Sequence, residues 1–533
     1  MTDPKTGGRE RLYIFDTTLR DGAQTQGVDF SVEDKRQIAL ALDNLGVDYI
    51  EGGWPGANPT DTAFFAERPP LKRARFTAFG MTKRAGRSAA NDPSLAQVLD
   101  AKVDAICLVG KTSAYQVRVA LEISLEDNLD NIARSMEAVA AKKREPLFDA
   151  EHFFDGYKEN PDYALSCLKA AHDAGAKWLV LCDTNGGTMP EDVYRIVSNV
   201  KAKLPDAALG IHAHNDTEQA VAVSLAAIRA GVRQVQGTLN GLGERCGNAN
   251  LCALLPNLML KEPFASQFET GVTREGLAQL THVSRLLDEI LNGAPNRYAA
   301  YVGASAFTHK GGLHVSAVVK DPQTYEHVPP EAIGNKRTMP VSAQSGRANV
   351  AANLGAEGGK HDLARLLSDV KRREFEGYSY DDAAASFELL ALRQQKTLPR
   401  YFTVEQFSVT VESLKGPSGD LVSRSKAAVE LTVAGEKIRN AGTGNGPVNA
   451  LDAALRKDLG KYSPFLSDLR LVDYKVRILT SGTEAVTRVT VESADGKGNR
   501  WSTVGVSENI VDASFEALTD SIIYKLYRDN APV

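Results

Sequence analysis

The segment GIHAHND, residues 210–216, places His212 and His214 two positions apart in a chain with only nine histidines. An apolar run precedes the pair, so the segment is typical of a strand, and alternate residues of a strand point to one face. Both imidazoles can therefore reach one ion from one rigid element. Two hydrogen-bonded histidines at a strand end would show the same spacing, so the pair alone leaves metal binding and a structural role open.

Polar residues also follow other apolar runs, and these could join the histidine pair. The segments are DTTLRDGAQ (16–24), Glu151, CDTNGG (182–187) and GLGERCGN (241–248). If the strand ends share one edge, Asp21, His212, His214 and Asn248 would form a mixed nitrogen and oxygen site. That ligand set suits Zn²⁺, Mn²⁺, Mg²⁺ or Co²⁺ and does not choose among them.

Charged residues beside this site could carry the chemistry. Arg20 would be a fixed positive charge that stabilises a developing oxyanion, or it could form an ordinary surface ion pair. Glu151 could act as a general base, or it could be a rim carboxylate in a salt bridge. The segment HKGGLH adds His309 and His314 on a glycine-containing loop. Such a loop could close over the site and deliver a proton carrier, although a loop histidine is commonly a solvated surface residue.

The elements that must position these residues alternate between apolar runs and amphipathic helical stretches. The runs are 11–16, 48–53, 75–81, 104–110, 146–153, 177–183, 208–216 and 233–239. Eight strand–helix units within roughly 250 residues predict an α/β fold of the (β/α)8 TIM-barrel type, whose active site lies at the carboxyl ends of the strands. A doubly wound open sheet fits the same alternation and is the alternative.

The rest of the chain changes character twice. Residues 260–400 are mostly helical, whereas 401–533 show strand-like alternation with two related segments, GTGNGPVNALDAAL (442–455) and GVSENIVDASFEAL (505–518). We expect two β-β-β-α repeats there. The predicted domains are a catalytic barrel at 1–280, helical linker subdomains with the lid loop at 281–400, and a C-terminal α+β domain at 401–533.

Composition limits the functional classes. The 533 residues are 43% hydrophobic and 24% charged, with a net charge of −5, which argues against disorder and against binding to nucleic acid. No apolar run approaches the ~20 residues of a membrane span, and the N-terminal MTDPKTGGRERLYIFD contains no stretch of signal-peptide type. The five cysteines form no C-x-x-C pair. We therefore expect a cytoplasmic protein that does not contact a membrane.

The motifs DTTLRDG, GIHAHND and GLGERCGN resemble signatures of the metal-dependent barrel family that contains 2-isopropylmalate, homocitrate and citramalate synthases. SGRANV and ASFELL resemble the linker subdomains of these synthases, and residues 401–533 resemble their regulatory domain. EGGWPGANPTD (51–61) and DAEHFFDGYKENPDYAL (149–165) are most similar to the citramalate-forming members. The resemblance covers nearly the whole chain.

The resemblance implies roles for matching residues. Asp21, His212, His214 and Asn248 would hold a divalent metal ion, and Arg20 would contact the carbonyl of the keto acid. Glu151 and His314 would form the acid–base pair, and Thr184 would hold the substrate carboxylate. Leu108 is expected, by its position, to form a wall of the substrate pocket. One departure is Asp149, because some citramalate-forming enzymes have a tyrosine there.

The implied reaction is a Claisen-type condensation of pyruvate with acetyl-CoA and water, giving (R)-citramalate and CoA. Isoleucine, or secondarily leucine, would act as effector through the C-terminal domain, and the family implies a homodimer. The alternatives are a 2-isopropylmalate synthase that uses 2-oxoisovalerate, a homocitrate synthase, a carbon–carbon lyase, or a non-catalytic protein that senses an amino acid.

Overall fold

The computed structural model describes residues 8–354, 362–415, 420–482 and 485–533. They form two compact units, of which the first contains residues 8–307 and 328–336 and the second contains 308–327 and the residues from 337 onward. Residues 1–7 of the N-terminal stretch considered above lie outside the described residues. Within the described ranges, no helix combines the length and apolar character that crossing a membrane requires.

Eight parallel strands form a closed barrel in the first unit. They are β1 Tyr13–Asp16, β2 Tyr49–Glu51, β3 Arg75–Met81, β4 Ala105–Lys111, β5 Glu145–Glu151, β6 Trp178–Asp183, β7 Leu209–Ala213 and β8 Gln234–Gly237. Each strand pairs with the next, and β1 pairs with β8, with Tyr13 opposite Gln234. This closure confirms the predicted TIM barrel and excludes the doubly wound sheet.

Helices follow the barrel strands in the predicted alternation. The longer ones are α1 Val32–Leu45, α2 Pro59–Ala66, α3 Pro93–Leu99, α4 Leu125–Ala141, α5 Phe153–Glu159, α6 Pro161–Asp173, α7 Pro190–Lys203, α8 Ala220–Arg229, α9 Leu251–Leu260 and α10 Leu280–Ile290. Helix α1 shows how local sequence sets their bounds. Ser31 and Asp34 form a capping box at its start, and Gly46 ends it with φ +101°. A Cβ at Gly46 would lie 2.7 Å from the carbonyl oxygen of Gly271, so this turn requires glycine.

Strand side chains alternate between two apolar layers. The larger layer lies between the strands and the helices, and a smaller cluster fills the barrel interior. The interior cluster consists of Phe15, Tyr49, Ala105, Cys107, Leu147, Trp178, Val180 and Cys182. The alternation decides which strand residues can reach the open end of the barrel from within.

The second unit begins with four helices, α11 Gly312–Lys320, α12 Arg347–Leu354, α13 Leu363–Phe375 and α14 Ala384–Gln395. Two three-stranded antiparallel sheets follow, each with a helix after it. They are β9 Phe402–Lys415, β10 Leu421–Val433 and β11 Glu436–Gly444 with α15 Pro447–Lys457, then β12 Arg470–Ile478, β13 Thr487–Ala494 and β14 Arg500–Ser507 with α16 Ile510–Arg528. This arrangement confirms the two predicted β-β-β-α repeats.

The first glycine of the two repeated segments has a packing reason. A Cβ at Gly442 would lie 2.5 Å from the backbone nitrogen of Ala454, and one at Gly505 would lie 2.0 Å from the carbonyl oxygen of Ala513. In each repeat, the last strand therefore approaches its helix more closely than any residue with a side chain would permit.

Candidate metal centre and active site

Three of the predicted ligands meet at the carboxyl end of the barrel. Ligand atoms of Asp21, His212 and His214 all lie within 4.8 Å of one another, and all three residues are buried. Asp21 follows β1, His212 lies on β7 and His214 follows that strand. The Nε2 atom of His212 lies 3.4 Å from Asp21 Oδ2 and 3.3 Å from His214 Nε2.

The donor atoms of this cluster fit a divalent metal ion. Asp21 Oδ1, His214 Nδ1 and Asn248 Oδ1 are buried without a hydrogen-bond partner, which is costly unless an ion or water satisfies them. Asn248 forms a backbone bridge with His214, and its Nδ2 donates to the carbonyl of Leu242 at 3.1 Å. Its side-chain oxygen is therefore left as a candidate fourth ligand beside the other three.

The electrostatics favour the ligating forms of these side chains. Burial lowers the pKa of His212 to about 4 and also lowers the pKa of His214, so both imidazoles are neutral at pH 7. For Asp21, burial opposes ionisation most strongly, but Arg20, the two histidines and Asn248 together outweigh it, and the pKa of Asp21 falls to about 2. One carboxylate and two neutral imidazoles are typical ligands of a catalytic divalent metal.

Arg20 is held beside this cluster by three contacts. Its Nε donates to Glu51 Oε2 at 2.7 Å, and its Nη1 donates to Asp21 Oδ2 at 3.1 Å. The guanidinium carbon lies 4.0 Å from the ring centroid of Phe79. Thr17 Oγ1 also donates to Glu51 Oε2 at 2.6 Å, so the carboxylate connects the segment after β1 to the end of β2. Glu51 is not among the predicted site residues, although it ends β2 as Glu151 ends β5, and the same strand-end signal identifies it.

A cavity of about 730 Å³ opens over the cluster. Its lining includes six of the predicted site residues: Arg20, Asp21, Glu151, Thr184, His212 and His214. Glu151 forms an ion pair with Lys111 Nζ at 2.7 Å. Thr184 Oγ1 accepts a hydrogen bond from the His152 backbone at 2.8 Å, which leaves the hydroxyl hydrogen available to a ligand.

Leu108 does not reach this cavity, so the expectation that it forms a pocket wall is wrong. It belongs to the apolar layer between the strands and the helices, where it lies close to Gly80 and Val98. The next residue, Val109, lines the cavity instead. The physical reason is strand alternation, which turns neighbouring side chains of β4 to opposite faces.

His314 lies in the second unit, in the first turn of helix α11, and not on the expected glycine-containing loop. Its exposed ring stacks on Tyr325 with 4.2 Å between the ring centroids. His309 is buried and its Nε2 lies 3.0 Å from Glu326 Oε1. Because Glu326 also pairs with Arg337, His309 belongs to a structural network. The pairing of His314 with Glu151 stays a prediction.

Three family models match the chain. The HMGL-like model matches residues 11–284, the homocitrate synthase post-HMGL domain-like model matches 301–374, and the LeuA allosteric (dimerisation) domain matches 383–526. Together they cover the barrel, the helices that follow and the repeated C-terminal sheets.

Curated relatives extend over the same length. The chain is 48% identical to the (R)-citramalate synthase of Aquifex aeolicus over 98% of both chains. It is also 48% identical to that of Geobacter sulfurreducens, over 97% of this chain and 98% of the relative. A probable 2-isopropylmalate synthase of Methanopyrus kandleri is 32% identical over 96% of this chain and 98% of the relative. Among solved structures, the hydroxymethylglutaryl-CoA lyase of Pseudomonas aeruginosa matches 54% of this chain and 95% of its own, with 19% identity and a TM-score of 0.45.

Proposed function

Because this chain belongs to the HMGL-like family and, within it, to the (R)-citramalate synthases, we propose that it condenses pyruvate with acetyl-CoA and water to give (R)-citramalate and CoA. The observation that most directly supports this reaction is the cluster of Asp21, His212 and His214, which lines a cavity with Arg20 beside it. The near-complete coverage of relatives named for this reaction supports the choice of substrates.

Asp21, His212, His214 and Asn248 would hold the divalent ion. This ligand set suits Mn²⁺, Mg²⁺, Zn²⁺ or Co²⁺. When bound, the ion would supply Lewis acidity that polarises the carbonyl group of the keto acid. The two neutral imidazoles and the ionised Asp21 provide this site without prior proton loss at pH 7.

Arg20 would stabilise the negative charge that forms on the keto oxygen during carbon–carbon bond formation. Its Nε and Nη1 are engaged by Glu51 and Asp21, and these contacts hold the guanidinium plane beside the metal site. A guanidinium held in advance stabilises developing charge without having to move during the reaction. The Arg20 side chain is 12% exposed, so this interaction is little weakened by water.

Glu151 and His314 would carry the protons, and Thr184 would bind the substrate. Glu151 lies at the cavity beside Lys111, where its carboxylate can take a proton from the acetyl methyl group, with His314 as its acid–base partner. The Thr184 hydroxyl, which already accepts from His152, can donate its hydrogen to the substrate carboxylate. Water then hydrolyses the thioester and releases CoA.

The C-terminal domain would regulate this reaction. The match to the LeuA allosteric (dimerisation) domain supports a homodimer and an amino-acid effector. We propose isoleucine as the effector, with leucine second, acting as a coupling between distinct sites. The division into a catalytic barrel (1–280), a linker (281–400) and a regulatory domain (401–533) belongs to the same proposal, as does a cytoplasmic location.

Initial rates of CoA release with pyruvate, 2-oxoisovalerate and 2-oxoglutarate test the assignment, each measured with and without isoleucine. We expect a clear preference for pyruvate, inhibition by isoleucine, loss of activity with excess chelator and recovery with Mn²⁺ or Mg²⁺. Preference for 2-oxoisovalerate would move the chain to the 2-isopropylmalate synthases. No turnover with any keto acid would favour a non-catalytic amino-acid sensor.

A further inference from the structure

Gln236 joins a metal-ligand histidine to a carboxylate inside the barrel. It lies on β8 with 1% of its surface exposed. Its Oε1 is 2.9 Å from His212 Nδ1, and its Nε2 donates to Asp149 Oδ1 at 3.1 Å. Asp149 lies on β5, is 3% exposed, and is the residue at which the chain departs from the tyrosine of some citramalate-forming enzymes.

The donor and acceptor groups of Asp149, Gln236 and His212 decide which atom donates in each of the two hydrogen bonds. Burial raises the pKa of Asp149 to about 7, and in its ionised form the carboxylate can only accept, so the amide nitrogen of Gln236 turns toward it and the amide oxygen turns toward His212. An amide oxygen can only accept, so Nδ1 of His212 must carry the proton. The unprotonated Nε2 then faces Asp21 Oδ2 and His214 Nε2, where a cation would lie.

We propose that Gln236 and Asp149 are positioning residues, which hold His212 in the tautomer and ring orientation that present its Nε2 to the metal ion. This inference rests on the metal site of the proposed function. Ligand histidines depend on such partners, since the group that accepts from one ring nitrogen decides which tautomer forms and how the other nitrogen is aimed. Gln236 contacts His212 directly, and Asp149, which also lines the cavity, acts on His212 through its hydrogen bond with Gln236.

Without Gln236, the buried Nδ1 of His212 would lose its acceptor, and the ring could adopt the other tautomer or rotate. Without the Asp149 oxygen, the Gln236 amide could turn over and offer its nitrogen to His212. Both changes weaken metal binding, and loss of such a partner commonly lowers affinity by about 10–100-fold. An amide at position 149 still offers an acceptor oxygen, so an asparagine substitution is the matched control.

The test measures Mn²⁺ affinity by isothermal titration calorimetry on the full chain after chelator treatment, with circular dichroism to verify folding. We expect Gln236→Met to bind about 10–100-fold more weakly than wild type, and Asp149→Ala to bind more weakly than Asp149→Asn. We expect Asp149→Asn to stay within about threefold of wild type, because the acceptor oxygen is retained. A folded Gln236→Met with wild-type affinity would overturn the inference.

A second measurement on metal-free wild type keeps the inference testable if a variant does not fold. Imidazole ¹⁵N spectra of histidine-labelled protein, with His212 assigned by its substitution, should show a protonated Nδ1 and an unprotonated Nε2. A protonated Nε2 in His212 would overturn the inference whatever the affinities. Failure of wild type to bind any of Mn²⁺, Mg²⁺, Zn²⁺ and Co²⁺ would instead overturn the metal site of the proposed function, so the two failures can be told apart.

Discussion

Substitutions in the ion pair of Arg20 with Glu51 can separate its effect on the free energy of unfolding from its effect on kcat. Glu51 is fully buried and the Arg20 side chain is 12% exposed, so solvent screens the pair weakly. In Arg20→Gln the Glu51 carboxylate keeps its hydrogen bond from the hydroxyl of Thr17. Because removal of one partner leaves a buried charge uncompensated, we expect a loss of about 3–5 kcal/mol in the free energy of unfolding.

Adding Glu51→Gln to this variant removes the uncompensated charge of Glu51, and all measurements are made with saturating Mn²⁺ so that the ion compensates Asp21, the other carboxylate that Arg20 contacts. The new amide oxygen can still accept from Thr17, so the double variant should unfold within about 1–2 kcal/mol of wild type. Its kcat should nevertheless stay about 10²–10³ lower, because the cation that stabilises the developing negative charge is still absent. The two variants therefore differ in stability and share the loss of activity.

Urea unfolding followed by tryptophan fluorescence measures the stability. The chain has three tryptophans, of which Trp54 and Trp178 lie in the barrel unit. All proteins carry Trp501→Phe, so that the fluorescence reports on that unit. CoA release from acetyl-CoA and pyruvate measures kcat. If Arg20→Gln unfolds within about 1 kcal/mol of its parent, the argument from the buried charge is refuted. Recovery of activity in the double variant would refute the role of Arg20 in stabilising charge.

Three other changes test the elements around the site. Lys35 donates to the carbonyls of Leu19 and Gly52 at 2.9 Å and pairs with Asp61. Lys35→Met should therefore lower the free energy of unfolding in urea by about 3–5 kcal/mol, and a loss under about 1 kcal/mol would contradict this. Gly53→Ala should lower the Tm in calorimetry, because φ at Gly53 is +138° and the added Cβ would lie 2.6 Å from the Asp61 carboxyl. An unchanged Tm would show that the loop relaxes freely. Burial raises the pKa of Asp16 from its unfolded value of 3.8 to about 7. The contribution of Asp16 to the free energy of unfolding is therefore full below pH 3.8 and is lost as the pH rises toward 7. Asp16→Asn should therefore gain stability relative to wild type between pH 5 and pH 8 in parallel urea titrations, and a pH-independent difference would count against the raised pKa.

Much of the barrel could be predicted because its signals are local. The alternation of apolar runs with amphipathic stretches depends on the period of each element, and caps such as Ser31 with Asp34 mark where a helix starts. The polar residues at strand ends were found by the same reasoning, since parallel strands of a barrel end at one face. Asp21, His212 and His214 meet as expected for this reason.

The two errors have different physical causes, and the first is that a strand pattern gives the alternation but not which side of the barrel a given residue faces. Leu108 and Val109 are both apolar and adjacent, and only the pairing of β4 with its neighbours places the second at the cavity. His314 follows two glycines that suggested a loop, yet the backbone continues as helix α11. Glycine raises the cost of a helix by only about 1 kcal/mol, so surrounding contacts can override it.

By itself, the sequence determined the kinds of elements, the eightfold alternation, the two C-terminal repeats and the residue types gathered at the strand ends. Tertiary structure alone decided the hydrogen bonds among them, including those of Glu51 with Arg20 and of Gln236 with both His212 and Asp149. These partners are separated by 24 to 87 positions along the chain. They come within 2.7–3.1 Å only because the sheet closes on itself, and distances of that precision depend on the packing of the whole barrel.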